Sequence, residues 1–240
     1  MSWFANWFDS HYYHILYKNR DEKEAKFFIE NLIQYLNLKK RKKLLDIACG
    51  KGRHATYFNS LGFDVVGVDL SPNSIISAKE NENANLQFEI HDMREVYQKN
   101  LFDVATNLFT SFGYFEKDED EQKAISAMAS NLKIGGILII DFMNVKKVIT
   151  NLLSSEQKTI DGIAFNINRK LEEGHIIKDI AITDGTEKQK FQEKVKALTL
   201  ADFSNFISKA GLKIIDIFGN YKLDDFNATT SDRLILICKK

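Results

Sequence analysis

The segment of this 240-residue chain richest in chemistry is Leu44-Leu45-Asp46-Ile47-Ala48-Cys49-Gly50-Lys51-Gly52-Arg53. An apolar run carries a carboxylate, passes through two glycines and continues into a helical pattern. Such a turn lets backbone come close to a ligand and leaves the N–H groups of the following helix open to it. Three ligand classes use a turn of this kind. A Walker loop needs Lys-Ser or Lys-Thr after its last glycine, and Arg53-His54 stands there, which excludes that class. Gly50, Gly52 and Ala55 satisfy the G-x-G-x-x-A form of a dinucleotide turn. Asp46 favours a third class, because its charge repels a pyrophosphate and suits the cationic amino group of a bound amino acid. Asp69, 19 positions after Gly50, can accept both hydroxyls of a ribose. Two carboxylates and two glycines so spaced fit an adenosyl ligand with a positively charged methionyl arm.

These residues meet only if they close neighbouring strands of a parallel sheet, where open α/β folds bind their ligands. The pattern supplies such strands at 43–47, 64–68, 86–90, 102–108 and 137–142, separated by helical stretches at 53–61, after Ser71-Pro72 and after the acidic run Glu116 to Glu121. Gly62 and Gly135-Gly136 are read as helix stops. A further helix is expected over 22–38. Beyond Val145 the period changes to two: Ile163, Phe165 and Ile167 alternate with polar residues, and Asp184-Gly185 signals a hairpin. Two or three antiparallel strands are expected within 158–198, then a helix over 199–210 and strands over 212–218 and 233–238. The expectation is one α/β domain, 1–240, with a doubly wound, mostly parallel seven-stranded sheet. An antiparallel β insertion (155–198) follows strand five, and an aromatic and helical region (1–38) precedes the sheet.

Composition narrows the classes. Lys plus Arg and Asp plus Glu are 33 each, so the formal net charge is zero and the basic excess of a nucleic-acid binder is missing. No apolar run approaches the roughly 20 residues that cross a bilayer, and no signal peptide is visible. Cys49 and Cys238 lie far apart and form neither a metal-ligand spacing nor a disulfide framework. A cytoplasmic monomer or homodimer is expected, acting on a small molecule, with no metal, nucleic-acid or membrane partner. The basic run 39–43 leads into the amino end of strand one, away from a ligand at the carboxyl ends.

With these motifs in order, the chain resembles the class I S-adenosylmethionine-dependent methyltransferases over about 44–240. The resemblance implies that Asp46, Ala48, Gly50, Gly52 and Arg53 hold the methionyl part of S-adenosylmethionine, with Asp69 on the ribose and Leu70 beside the adenine. It places Asp92 and Met93, after His91, at the adenine amine, and Asn107 and Phe109 against the cofactor from strand four. Leu132-Lys133-Ile134-Gly135-Gly136 matches the family's L-K-P-G-G turn with isoleucine for proline. An acceptor wall is expected from Phe112 and Tyr114, from Asp141 and Asn144 after strand five, and from Arg169 in the insertion. His54 and His91 read as packing or solvent-facing residues, and no catalytic side chain is assigned. Tyr13 stands for the crowded aromatics Trp3 to Tyr17, read as either static packing or a lid whose rings attract a sulfonium. A nicotinamide-dinucleotide oxidoreductase and a non-catalytic cofactor-binding scaffold stand as alternatives.

Overall fold

The computed structural model describes residues 3–18 and 22–240, and the side chains of Trp3, Phe4, Ala5 and Glu22 lie outside that description. Two short helices, α1 (Trp3–Phe8) and α2 (His11–Leu16), precede α3 (Glu22–Tyr35). Then strands and helices alternate: β1 (Lys43–Ile47), α4 (Arg53–Ser60), β2 (Asp64–Asp69), α5 (Pro72–Ala78), β3 (Leu86–Ile90), β4 (Phe102–Asn107), α6 (Asp118–Asn131) and β5 (Leu132–Met143). After α7 (Val145–Thr150) come β6 (Ser155–Ile160), β7 (Ile163–Glu172), β8 (His175–Asp184) and β9 (Glu187–Lys196). Helix α8 (Leu200–Lys209), β10 (Lys213–Phe218) and β11 (Arg233–Lys239) follow.

The helix starts follow from local chemistry. Ser71 accepts a hydrogen bond from the Ser74 amide ahead of Pro72, and Thr199 forms a reciprocal capping box with Asp202. Four acidic residues fill the first turn of α6, at the positive end of its dipole.

A seven-stranded sheet runs β10-β11-β5-β4-β1-β2-β3. Its central pairs are parallel and β11 is antiparallel to both β5 and β10. The order reverses between β1 and β4, which opens a crevice at their carboxyl ends. One apolar cluster packs α6 and α8 on one face, around Met128, Leu138 and Phe203. Another packs α3 and α4 on the opposite face, around Phe28, Phe58 and Ile237.

Several boundaries differ from expectation. Helix α3 stops at Tyr35, and α6 stops at Asn131, before the glycine pair. Strand β5 pairs through Leu132, leaves its partner over the next four residues and rejoins at Ile137. Gly135-Gly136 therefore belong to an excursion within a strand. The insertion is a four-stranded antiparallel sheet, β6-β7-β8-β9, with two-residue loops at Asp161-Gly162, Glu173-Gly174 and Gly185-Thr186. Asp184, expected in the turn itself, pairs with Glu187 at its base. The inner face of this sheet packs Phe165, Ile180 and Ile182 against Trp7, Tyr12 and Leu16 of the N-terminal helices.

Candidate active site

A cavity of about 940 Å³ opens at the carboxyl ends of β1, β2 and β4. Its floor is the turn after β1, where Ala48, Gly50 and Gly52 all have positive φ (58°, 56° and 79°). The two glycines do different work. A Cβ on Gly50 would meet nothing within 4 Å, so that position is open to an occupant. A Cβ on Gly52 would stand 2.5 Å from the Phe88 ring, so Gly52 serves the close approach of α4 to β3 and does not line the cavity.

Asp69 fastens this turn to the next one. Its carboxylate accepts from the Gly50 amide and from the Ser71 amide, each at 2.8 Å. Burial raises its pKa against those two hydrogen bonds. Asp46 is 1% exposed. Its Oδ1 accepts from Thr106 Oγ1 at 2.8 Å, and its Oδ2 has no partner. Burial pushes its pKa up to about 7, in spite of the Thr106 bond and the Ala55 amide. A buried carboxylate oxygen without a close hydrogen-bond partner, beside a glycine with open space above it, can accept from a cationic donor.

Around this floor, the Arg53 guanidinium lies 4.7 Å from the Phe109 ring centroid and the His54 ring 4.8 Å from it. Phe109 and Thr110 both have positive φ, and Asp141 holds them there. The Asp141 carboxylate accepts from the Phe109 amide (2.9 Å), Tyr221 Oη (3.1 Å) and Arg233 Nε (2.7 Å), and Arg233 also donates to Thr110 Oγ1 (3.0 Å). Asp141 itself is fully buried and does not reach the cavity. Neither does Asn107, whose Nδ2 donates to the Ile47 carbonyl, nor Asn144, which ties β5 to the carbonyls of Ala228 and Ser231. Ala48, Leu70, Asp92 and Met93 line the cavity, and so do Phe112, Tyr114 and Arg169. The Asp92 carboxylate is gripped by Arg94 through Nε and Nη2, and Arg169 pairs with Glu156 at 2.5 Å.

The roof is the N-terminal pair of helices together with β8 and β9. Asp9 accepts from Ser71 Oγ (2.6 Å) and from Asn73 Nδ2 (2.7 Å), anchoring the pair to the start of α5. At the other side, Trp7 Nε1 and Tyr17 Oη each donate to Glu193 at 2.7 Å, and Lys178 pairs with Glu193 at 2.5 Å. Burial alone would raise the Glu193 pKa, but the Lys178 ammonium and these hydrogen bonds outweigh it and hold it low. Tyr13 lines the cavity beneath Trp7, ring centroids 5.6 Å apart. Lys178, Glu193 and His14 are lining residues that sequence reasoning missed. Burial, and then the Lys51 charge, push the His14 pKa down to about 4, so it presents a neutral imidazole.

A doubly wound seven-stranded sheet, its last strand reversed, with carboxylates at the ends of β1 and β2 beside an open glycine turn, defines a class I S-adenosylmethionine-dependent methyltransferase. The chain belongs to the methyltransferase-domain family, whose sequence model matches residues 38–198. A crystallised S-adenosylmethionine-dependent methyltransferase from Clostridium acetobutylicum ATCC 824 superposes with TM-score 0.80 at 20% identity, covering 95% of each chain. The S-adenosylmethionine-bound amino pentose methyltransferase CalS10 from Micromonospora echinaspora superposes with TM-score 0.69 at 17% identity, over 96% of this chain and 97% of that one. In sequence, a glycine/sarcosine N-methyltransferase from Aphanothece halophytica is 33% identical over 135 residues, 54% of this chain and 49% of that protein. The matched stretch thus covers about half the length of that relative. Family membership sets aside the dinucleotide and scaffold alternatives, and the cofactor is S-adenosylmethionine.

Proposed function

We propose that the protein methylates a small-molecule acceptor at an amine or hydroxyl, in the cytoplasm, with amines the favoured class. The observation that carries the reading is the unpartnered Asp46 Oδ2 below the open Gly50 turn, in a cavity at the upper end of the about 300–1,000 Å³ usual for small-molecule sites. That volume accommodates a cofactor and a small acceptor together. The name of the glycine/sarcosine N-methyltransferase relative favours nitrogen as the nucleophile.

In this reading Asp46 pairs with the methionyl ammonium, Arg53 approaches the methionyl carboxylate, and the backbone of Ala48 and Gly50 borders the arm. Asp69 accepts the ribose hydroxyls with lone pairs left over from the two amides it already holds. Leu70, Asp92 and Met93 border the adenine, with Asp92 set in place by Arg94. Phe109 and Tyr13 face the cofactor, and Phe112, Tyr114 and Arg169 face the acceptor. Gly52, Asn107, Asp141 and Asn144 act through the shape of the turns they hold.

When bound, S-adenosylmethionine supplies an electrophilic methyl on a sulfonium: the acceptor lone pair forms the new bond as the sulfur–carbon pair returns to sulfur. The chain's part is alignment and exclusion of water, worth as much as about 7–11 kcal/mol. Of the N-terminal region 1–38, helices α1 and α2 serve as a lid that closes the roof, while α3 packs on the large sheet. The acceptor gives up one proton to solvent, since a His14 imidazole whose pKa is pushed down to about 4 is a poor base near neutral pH. The test is isothermal titration with S-adenosylhomocysteine and with NAD, followed by labelled-methyl transfer to a panel of small amines, alcohols and carboxylates. Binding of S-adenosylhomocysteine with label on an amine is the expected result. Labelling of protein or nucleic acid and of no small molecule would overturn the reading.

A further inference from the structure

The edge of the large sheet opposite the cavity gathers positive charge that the reaction does not use. Strand order sets Lys213, Lys239, Lys133 and Lys43 at the ends of β10, β11, β5 and β1, on neighbouring or next-but-one strands. With about 4.8 Å between strands, they form a row. The exposed run 39–42 extends the row from the connector before β1, where the Arg41 amide is pinned to the Gly62 carbonyl at 2.8 Å. Lys240 joins from the other side: its Nζ donates to Asn100 Oδ1 and to the Leu132 carbonyl, and Lys99 stands close enough to help lower its pKa, after burial. The carboxylates answering this row are Asp103, between Lys42 and Lys133, and Asp64, 4.0 Å from Lys43. In a chain of zero net charge, such a concentration means that charge is segregated. The carboxyl ends of α4 and α6 point to this edge and account for part of the positive charge, as dipole partners.

They do not account for Ile134, which is 86% exposed, the most of any large apolar residue described. The excursion of β5 between Leu132 and Ile137 throws it outward, and the loop is rigidly held: the Gly135 amide donates to the Lys240 carbonyl (2.9 Å) and the Lys240 amide to the Gly136 carbonyl (3.0 Å). An aliphatic side chain on a fixed prow among lysines gains nothing from phosphates or stacked bases, which reward aromatic rings and donors. It does gain from a headgroup layer, where cations meet anionic lipid and an apolar tip sinks toward the acyl boundary.

We propose that this edge docks peripherally on an anionic lipid surface, with the lysine row at headgroup level and Ile134 inserted. The expectation of no membrane partner rested on the lack of a spanning segment, which a peripheral contact does not need. Docked this way, the cavity faces away from the lipid, so the acceptor arrives from water and turnover is independent of docking.

The experiment is co-sedimentation of the full chain with phosphatidylcholine vesicles with and without about 30% phosphatidylserine, at low and physiological salt. Binding should require phosphatidylserine and weaken at least tenfold at the higher salt. Lys39→Gln with Lys40→Gln and Lys213→Gln should lower the salt dependence. Ile134→Ser should weaken binding severalfold with the salt dependence unchanged and S-adenosylhomocysteine affinity intact, which shows that the variant is folded. Equal partition to neutral vesicles, or indifference to all these substitutions, overturns the proposal. So does tighter binding to single-stranded RNA or duplex DNA that ignores Ile134→Ser, which would make the edge a nucleic-acid face.

Discussion

Asp46→Asn should make the free protein more stable and the cofactor-binding protein worse. The wild-type carboxyl is 1% exposed with one oxygen unpartnered, and burial raises its pKa from 3.8 to about 7. The unfolded chain therefore ionises first as pH rises, and stability is lost from about 3.8 until the folded carboxyl itself ionises near 7. At about 1.4 kcal/mol per pH unit, that gap corresponds to about 4 kcal/mol, an upper bound because the cavity admits some water. Asparagine keeps an oxygen for the Thr106 hydroxyl and carries no charge. Its advantage over wild type should therefore grow by about 2–3 kcal/mol between about pH 5 and about pH 8. Urea melts of both proteins at the two pH values, without ligand, read this directly. S-adenosylhomocysteine affinity should fall about 10- to 100-fold at the higher pH, the worth of one hydrogen-bonded charge pair. The reasoning fails if the stability difference does not change with pH, or if the variant binds the cofactor as tightly as wild type.

Asp69→Ala should weaken cofactor binding by about 2–4 kcal/mol, and calorimetry should also find lower stability, because the Gly50 and Ser71 amides lose their acceptor. An unchanged affinity would remove Asp69 from the site. Gly52→Ala, which strains a φ of 79° and drives a methyl into Phe88, should cost more than about 2 kcal/mol in a thermal or urea melt; wild-type stability would show that Phe88 yields freely. Trp7→Ala should lower stability by about 3–5 kcal/mol, as for other buried large aromatics, whereas Tyr13→Ala should chiefly weaken cofactor binding. Hydrogen exchange across the two N-terminal helices should slow when S-adenosylhomocysteine binds, and identical protection with and without ligand would leave them as core alone.

The glycine turn was legible because its chemistry is local. Asp46, Gly50, Gly52 and Asp69 lie on consecutive elements of a repeating βα unit, and backbone geometry joins them without long-range information. The N-terminal aromatics were harder, because packing and lining are not exclusive: Trp7 and Tyr12 are core to the small sheet, while Tyr13 on the same helices lines the cavity. Lys178 and Glu193 could not be paired from sequence, since a β face is set by register. Taking Asp184-Gly185 as the loop places Lys178 opposite Phe191, whereas the true loop, Gly185-Thr186, places it opposite Glu193. A one-residue shift in the turn moves every partner by two. Asp161-Gly162 carries the same hairpin signal as Asp184-Gly185 and was equally legible, whereas Glu173-Gly174 was hidden because an acidic-glycine pair within a charged stretch looks like ordinary surface.

The Asp141–Arg233 link makes one part of the site depend on a distant part of the chain. Arg233 opens β11, the last strand in the chain, yet β11 sits inside the sheet between β5 and β10. The glycine turn and both carboxylates need only β1, β2 and the loops that follow them. The left-handed Phe109-Thr110 bend takes its guanidinium clamp from β11, more than a hundred residues further along the chain, where that strand lies beside β5. The floor of the cavity is thus a product of neighbouring elements, whereas one of its walls is set by a contact between residues far apart in the chain.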